Sequence, residues 1–399
     1  MSNTTYENGR FRLTLPPLSG GLDLAAEPEA IGDNELADGV NLWFHRGALR
    51  TRPGLYCREE GRTVLREPIE GDDYAFSGVT ALGVSTVVGD TTAQVVAERW
   101  SENGKERIRP VRIGGDGIAY PYRDEGNGEM DPFSATHCLV TNDENGTPLF
   151  FTPDGVFISG GESMDGRWMS MEEWLYVPLL RVGGIGATQV RNAPVTGTAF
   201  EAPNLLTPRF KAQYTTDNNG VYFFLPLRGL DDEPVSATLI DDTGTEHSYT
   251  VEAGATVSEE VWGFCLNVDR AGGYVWFATA DGTPLVPPAY GHSGNLTVEA
   301  SKTDAAGRKR LLGMRFGTWY GGDSRGLFGG TRLFVAGNPL YPHLVHWSDV
   351  NNALYFPAPN YAYVGDATDA ITAFGKQEDA LIIFKERELY AAGYESTPV

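Results

Sequence analysis

The chain has 399 residues and carries 53 acidic against 31 basic side chains, a net charge of −22. That balance excludes a broad basic surface of the kind that grips a phosphate backbone. Three widely separated cysteines, Cys57, Cys138 and Cys265, exclude a disulfide framework and are expected as buried free thiols.

No apolar run comes near the ~18 residues that span a bilayer. The opening MSNTTYENGRFRLTL has neither the basic nor the apolar region of a secretory signal, so synthesis and retention on the cytoplasmic side are expected. Forty-nine glycines and 24 prolines with 11% aromatics read as many short strands joined by tight turns. The expected class is all-β.

From Ser19 to Leu55 the order is a Gly20-Gly21 turn, a short strand Leu22 to Leu24, and an acidic crossing. A helix start is expected at Asp33-Asn34-Glu35, since a short side-chain oxygen caps the first turn. Leu36, Val40 and Trp43 follow at roughly helical spacing. Trp43-Phe44 and Ala48 to Arg50 then flank His45-Arg46-Gly47 as strand, turn and strand, and Arg52-Pro53-Gly54 turns the chain again.

Residues 74–160 read as strands with frequent turns. Ala93 to Trp100 and Arg107 to Ile113 flank Asn103-Gly104, a two-residue hairpin signal. Pro148 to Thr152 and Val156 to Ile158 flank Pro153-Asp154-Gly155. Met169 to Leu180 is expected as a short helical turn stopped by Pro178, and Gly183-Gly184-Ile185-Gly186 loosens the chain.

The composition shifts near Pro203. Strands are expected from Phe210, over Val221 to Leu225, Ala237 to Asp241, His247 to Val251, Val261 to Val268, Tyr274 to Ala278 and Leu296 to Glu299. This block, 205–302, reads as an inserted β-sandwich. Leu311 to Phe316 is expected to resume the body. The stretches at 152–161, 332–339 and 380–393 echo one another as apolar strands ending in small residues, which a propeller predicts.

The chemistry-bearing patterns resolve into structure. Gly183 to Gly186 lacks the Lys-Ser/Thr of a phosphate loop. His343 and His346 sit three apart, but Pro342 and the strand-like Leu344-Val345 oppose a helical metal pair, so packing or exposure is expected. The acidic groups Asp231-Asp232-Glu233, Asp241-Asp242 and Glu172-Glu173 read as solvated turn charges. Asp366 to Asp369 is too short for a calcium loop. In His346-Trp347-Ser348-Asp349, Asp349 is expected to close a turn on backbone amides while Trp347, Tyr355 and Phe356 fill a core. No catalytic, cofactor or metal residue is assigned.

Two stretches together carry a resemblance. The order GG-L-D-L, then I-x-D-N-E-L-A-D, N-L-W-F and G-A-L-R-x-R-P-G-L over 19–55 resembles tail or head–tail connector structural proteins of tailed bacteriophages, the group called stabilization proteins. Gly329 to Pro339, His346 to Asp349, Tyr355-Phe356, Val364 to Asp366, Ile371 to Ala373 and Leu381 to Glu386 repeat the likeness.

The resemblance implies a propeller-like body in two parts, 56–204 and 303–399, preceded by a segment 1–55 that packs on it and interrupted by the sandwich. It implies a non-enzymatic virion protein without cofactors, assembled as a ring, by resemblance a hexamer, with other tail or connector proteins as partners. DNA would be passing cargo, held in the capsid and later ejected. Asn41, Trp43, Arg50, Arg52 and Pro53 are the expected assembly residues, with bracing of the segment as the other reading for the two arginines. The competing class is a carbohydrate-binding or glycan-cleaving propeller, given eight tryptophans and 18 tyrosines.

Overall fold

In a computed structural model of the protein, side chains are described for residues 108, 138–143, 147–153, 155–156, 175–180, 201–216, 220–286, 294–321, 331–377 and 380–393; elsewhere only the backbone of certain strands is described. The chain divides into two compact units, Met1–Arg62 and Thr63–Val399.

Among the described residues, the first unit holds three strand pairs. β1 (Asn3–Glu7) and β2 (Arg10–Thr14) are antiparallel, β3 (Gly21–Leu22) and β4 (Glu35–Leu36) parallel, and β5 (Leu42–His45) and β6 (Ala48–Thr51) form the expected hairpin. The helix expected from Asp33-Asn34-Glu35 gives way at Glu35–Leu36 to a strand on Gly21–Leu22, and Trp43 lies in a strand too. A first helical turn fixes several residues for a single hydrogen bond. A ready strand partner overrides so weak a local preference.

The second unit opens with β7 (Tyr74–Ala81), β8 (Ser85–Val88), β9 (Thr91–Glu102), β10 (Lys105–Ile113) and β11 (Ala119–Pro121). They form one antiparallel sheet, order β11-β10-β9-β7, with β8 also on β9. Glu102 pairs with Lys105 across Asn103-Gly104, as a two-residue hairpin requires.

The next four strands, β12 (Leu139–Asn142), β13 (Pro148–Thr152), β14 (Gly155–Gly160) and β15 (Arg167–Ser170), pair in chain order as a meander. At the two ends of the expected helical turn, 169–170 belong to β15 and 175–180 are irregular; 171–174 lie outside the described residues. Trp168 and Met169 pair with Ser159 and Ile158, while Leu179 and Leu180 bridge to Lys211 and Glu201.

Residues 209–301 form two sheets around one core. β16 (Arg209–Tyr214), β18 (Val235–Ile240), β19 (Glu246–Val251) and β23 (Leu296–Ser301) run in the order β16-β23-β18-β19. β17 (Tyr222–Phe224), β20 (Cys265–Asp269), β21 (Tyr274–Ala278) and β22 (Pro284–Leu285) form the other, order β17-β21-β20 with β22 on β21.

Burial alternates along β16 and β18, as strands with one face on a core must. Phe210, Tyr214, Leu239, Tyr249, Phe223 and Phe277 meet between the sheets. Each such burial contributes roughly 1.5–3 kcal/mol.

A helix follows, α1 (Ala305–Leu312), capped by Asp304, whose carboxylate accepts from Gly307 N at 2.9 Å. Its last two residues, Leu311 and Leu312, begin the stretch expected to resume the body, and it is the one α-helix among the described residues. β24 (Phe316–Gly321), β25 (Thr331–Ala336), β26 (Leu344–Trp347) and β27 (Tyr361–Tyr363) make a second meander. β28 (Ile371–Gln377), β29 (Ala380–Lys385) and β30 (Leu389–Ala392) make a three-stranded third.

The meanders stack face to face. Leu139, Leu149 and Phe151 from β12 and β13 share a core with Leu333, Val335 and Leu344. On the opposite face of that sheet Tyr320, Ala336 and Val345 meet Ile371, Leu381 and Ile383. The first strands β12, β24 and β28 adjoin in succession. Among the described residues the protein is therefore all-β apart from α1, with no closed ring of sheets. Cys138 and Cys265 are buried free thiols; Cys57 lies outside the described residues.

Candidate functional site

Of the five expected assembly residues, Asn41, Arg52 and Pro53 lie outside the described residues. Trp43 on β5 and Arg50 on β6 are direct cross-strand partners. The hairpin thus brings these two positions together.

The His346 to Asp349 stretch builds its turn differently from expectation. Ser348 is buried, and its hydroxyl accepts from Leu333 N at 2.9 Å and donates to Asp349 O at 2.8 Å. The Asp349 carboxylate instead pairs with the Arg332 guanidinium at 3.1 Å. A hydroxyl both gives and takes a hydrogen bond, which suits the dry position, and the charge remains toward solvent beside its counter-ion. Asn352 accepts from Leu354 N at 2.9 Å and completes the turn. Tyr355 and Phe356 are core residues, and Trp347 packs half-buried against Phe334.

His346 is wholly buried, its ring 5.6 Å from Tyr361, over which the Arg310 guanidinium also lies at 5.4 Å. Burial first, and the Arg310 charge second, push its pKa down to about 4, against a weaker opposite pull from the Asn360 backbone. His343 stacks on a different ring, Tyr363, at 4.7 Å. Both imidazoles pack against tyrosines.

Two acidic residues expected as solvated charges, Asp241 and Asp231, are instead staples. The Asp241 carboxylate accepts from Thr243 N and Thr245 N, each at 2.9 Å, from Thr243 Oγ1 at 2.6 Å, and pairs with His247 Nε2 at 3.0 Å. The Thr243 hydroxyl, then His247, hold it well below the usual carboxylate range. Asp231 accepts from both the amide and the hydroxyl of Thr303 at 2.6 Å, and Asp232 from Gly254 N at 2.7 Å. Orphan turn amides attract carboxylates wherever the chain bends. Asp232, Glu233 and Asp242 are exposed as expected, and Glu172-Glu173 lies outside the described residues.

The Asp366 loop has a cation built in. Lys385 Nζ donates to the carbonyls of Val364 and Asp366 at 2.8 Å each, and its side chain is fully buried. Asp366 itself accepts from the Thr368 amide and hydroxyl at 2.7 Å.

A polar junction at 176–206 escaped the sequence reading. Buried Asn204 donates to Tyr176 O and Leu354 O at 2.8 Å and accepts from Leu206 N and Phe356 N. Glu201 accepts from the Tyr176 hydroxyl and from Leu179 N at 2.7 Å. All four capacities of the Asn204 amide are used, so the junction fixes backbone.

Two further surfaces stand out among the described residues. A groove of about 390 Å³ beside α1 is bounded by Pro153, Lys309, Leu312, Asn338, Pro339 and Leu340; it is largely apolar and offers no acid–base pair. The other is the outer face of the β17-β21-β20 sheet, where Tyr222, Phe224, Tyr274 and Trp276 are partly exposed. Gly183 to Gly186 lies outside the described residues. No cluster of three or more His, Cys, Asp or Glu suited to a metal occurs among those described.

Fold and clusters together define an all-β protein whose described polar groups mainly lock turns and junctions. No family model and no curated protein matches the chain.

Proposed function

We propose that the protein is a non-enzymatic structural component of a tailed-phage virion, in the tail or the head–tail connector, with a propeller-like body interrupted by a β-sandwich. The observation that carries the reading is the stack of meanders. Three successive sheets share their faces and adjoin through their first strands, as blades of a propeller do. The two-sheet block at 209–301 interrupts the chain between the first and second of these sheets. The 19–55 and 329–386 motifs add the likeness to stabilization proteins.

In this role the protein assembles as a ring, by resemblance a hexamer, against other connector or tail proteins, keeps packaged DNA in place and lines part of its exit path. The net charge of −22 fits a wall that DNA slides past without adhering. The test is the native mass of the purified protein with class averages of any large species, followed by incubation with purified connectors. A closed ring, or a ring formed on the connector, is expected. A protein that stays monomeric and fails to join connectors overturns the reading.

A further inference from the structure

The outer face of the β17-β21-β20 sheet carries its side chains in ordered rows. Register places Tyr222, Trp276 and Asn267 in one cross-strand row, and Phe224, Tyr274 and Asp269 in the next. Each row therefore runs ring, ring, polar group. The alternate residues Phe223, Val275, Leu266 and Val268 point inward to the core, so the rings belong to the solvent side.

Tyr274 and Trp276 lie 5.6 Å apart with planes tilted by 35°, a shallow floor. Tyr222 stands against it, edge-on to Tyr274 at 5.6 Å and 87°, and 5.9 Å from Trp276. Phe224 extends the floor, 5.2 Å from Tyr274. These steps are of the order by which a glycan chain advances per pyranose unit.

Along the border, Asp269 is held ionised. Gly272 N donates to Oδ1 at 2.8 Å, and this amide first and the Tyr274 hydroxyl second lower its pKa. A carboxylate has about four acceptor positions; the Gly272 amide, the Tyr274 hydroxyl and the Ala271 amide occupy three of them, which leaves capacity for a hydroxyl. Asn267 adds an amide one row away.

We infer that this face binds a neutral oligosaccharide: pyranose C–H faces lie on Tyr274 and Trp276 against the Tyr222 wall, and sugar hydroxyls donate to Asp269 and pair with Asn267. An amphipathic ligand matches a face that is apolar in the middle and acceptor-rich at one border. The acidic chain disfavours sulfated, phosphorylated or nucleic-acid ligands. Cross-strand aromatic pairs also stabilise the sheet, Asp269 closes the β20–β21 turn and Asn267 Nδ2 donates to Cys265 O at 3.4 Å; what carries the inference is the spacing and tilt of the rings, with acceptor capacity left at their border. The inference is independent of ring assembly.

The test is calorimetric titration of the full chain with neutral hexasaccharides of glucose, mannose and galactose. A heparin hexasaccharide serves as anionic probe and choline as cationic probe. Saturable binding of at least one neutral hexasaccharide is expected, weakened about tenfold or more by Trp276→Ala. Asp269→Asn weakens it less, and Tyr222→Phe retains the wall and most of the binding. Melting curves check that each variant folds; if Trp276→Ala does not, the Asp269→Asn and Tyr222→Phe pair carries the comparison. The inference is overturned if no neutral hexasaccharide binds, if the variants that fold all match the parent, or if only heparin or choline binds. Native mass measured on the same samples keeps ring assembly separate, because Trp276→Ala leaves assembly unchanged.

Discussion

Tyr355 and Ala202, 153 residues apart, exchange two hydrogen bonds: the Tyr355 hydroxyl accepts from Ala202 N at 3.1 Å and donates to Ala202 O at 2.9 Å. One phenol thus stands in for a strand partner and closes the junction that Asn204 and Glu201 begin. Tyr355→Phe keeps the ring and strands both backbone groups. A loss of about 1–3 kcal/mol is expected, read as a shift in denaturant midpoint without a change in slope.

Acid sensitivity should reveal His346. With its folded pKa near 4 and an unfolded value of about 6.5, the unfolded chain takes up the proton first. Stability is full above pH 6.5, declines as the pH falls toward 4 and levels off below, with a span of at most about 3 kcal/mol. Asp241, whose folded pKa is depressed, acts in the same direction only lower, as the pH falls through and below the ordinary carboxylate range. His346→Leu should flatten the decline between pH 6.5 and 4 in denaturation curves; an unchanged slope would remove His346 as its source.

At α1 two substitutions should defeat simple helix propensity. Asp304→Ala removes the cap and costs about 1 kcal/mol. Gly307→Ala would stabilise an ordinary exposed helix by about 1 kcal/mol. Here the new methyl would meet Leu205 Cδ2 at 2.5 Å, and Leu205 is itself buried, so a net loss of roughly 1–2 kcal/mol is expected from overpacking. Thermal melts of both variants decide it.

Lys385→Met should destabilise the third meander. It leaves the carbonyls of Val364 and Asp366 without their donor, at a cost of about 2 kcal/mol. Hydrogen exchange should rise first in β28 to β30, and a uniform rise across the chain would argue against so local a role.

How much of this was legible beforehand depended on the range of each interaction. The β5–β6 and β9–β10 hairpins carry their own turn chemistry, and the strands of the 209–301 block alternate in period two, so local sequence sufficed. The α1 helix was missed because only Gly307, Leu311 and Leu312 of its residues are buried, too few to print an apolar stripe. Asp231 looked like a solvent charge because its partner, Thr303, lies 72 residues away, and the carbonyls to which Asn204 donates are 28 and 150 residues distant. The aromatic face was visible only as a count of rings; strand register turned that count into rows.

The two-sheet block begins and ends on neighbouring strands. Arg209 of β16 pairs with Ser301 of β23, and Lys302 N donates to Pro208 O at 2.8 Å. Its two ends therefore leave side by side, so the block can be excised and the cut chain rejoined by a short loop without stretching the host. A gene could trade this cassette for another of different surface while the sheets that carry it stay as they are.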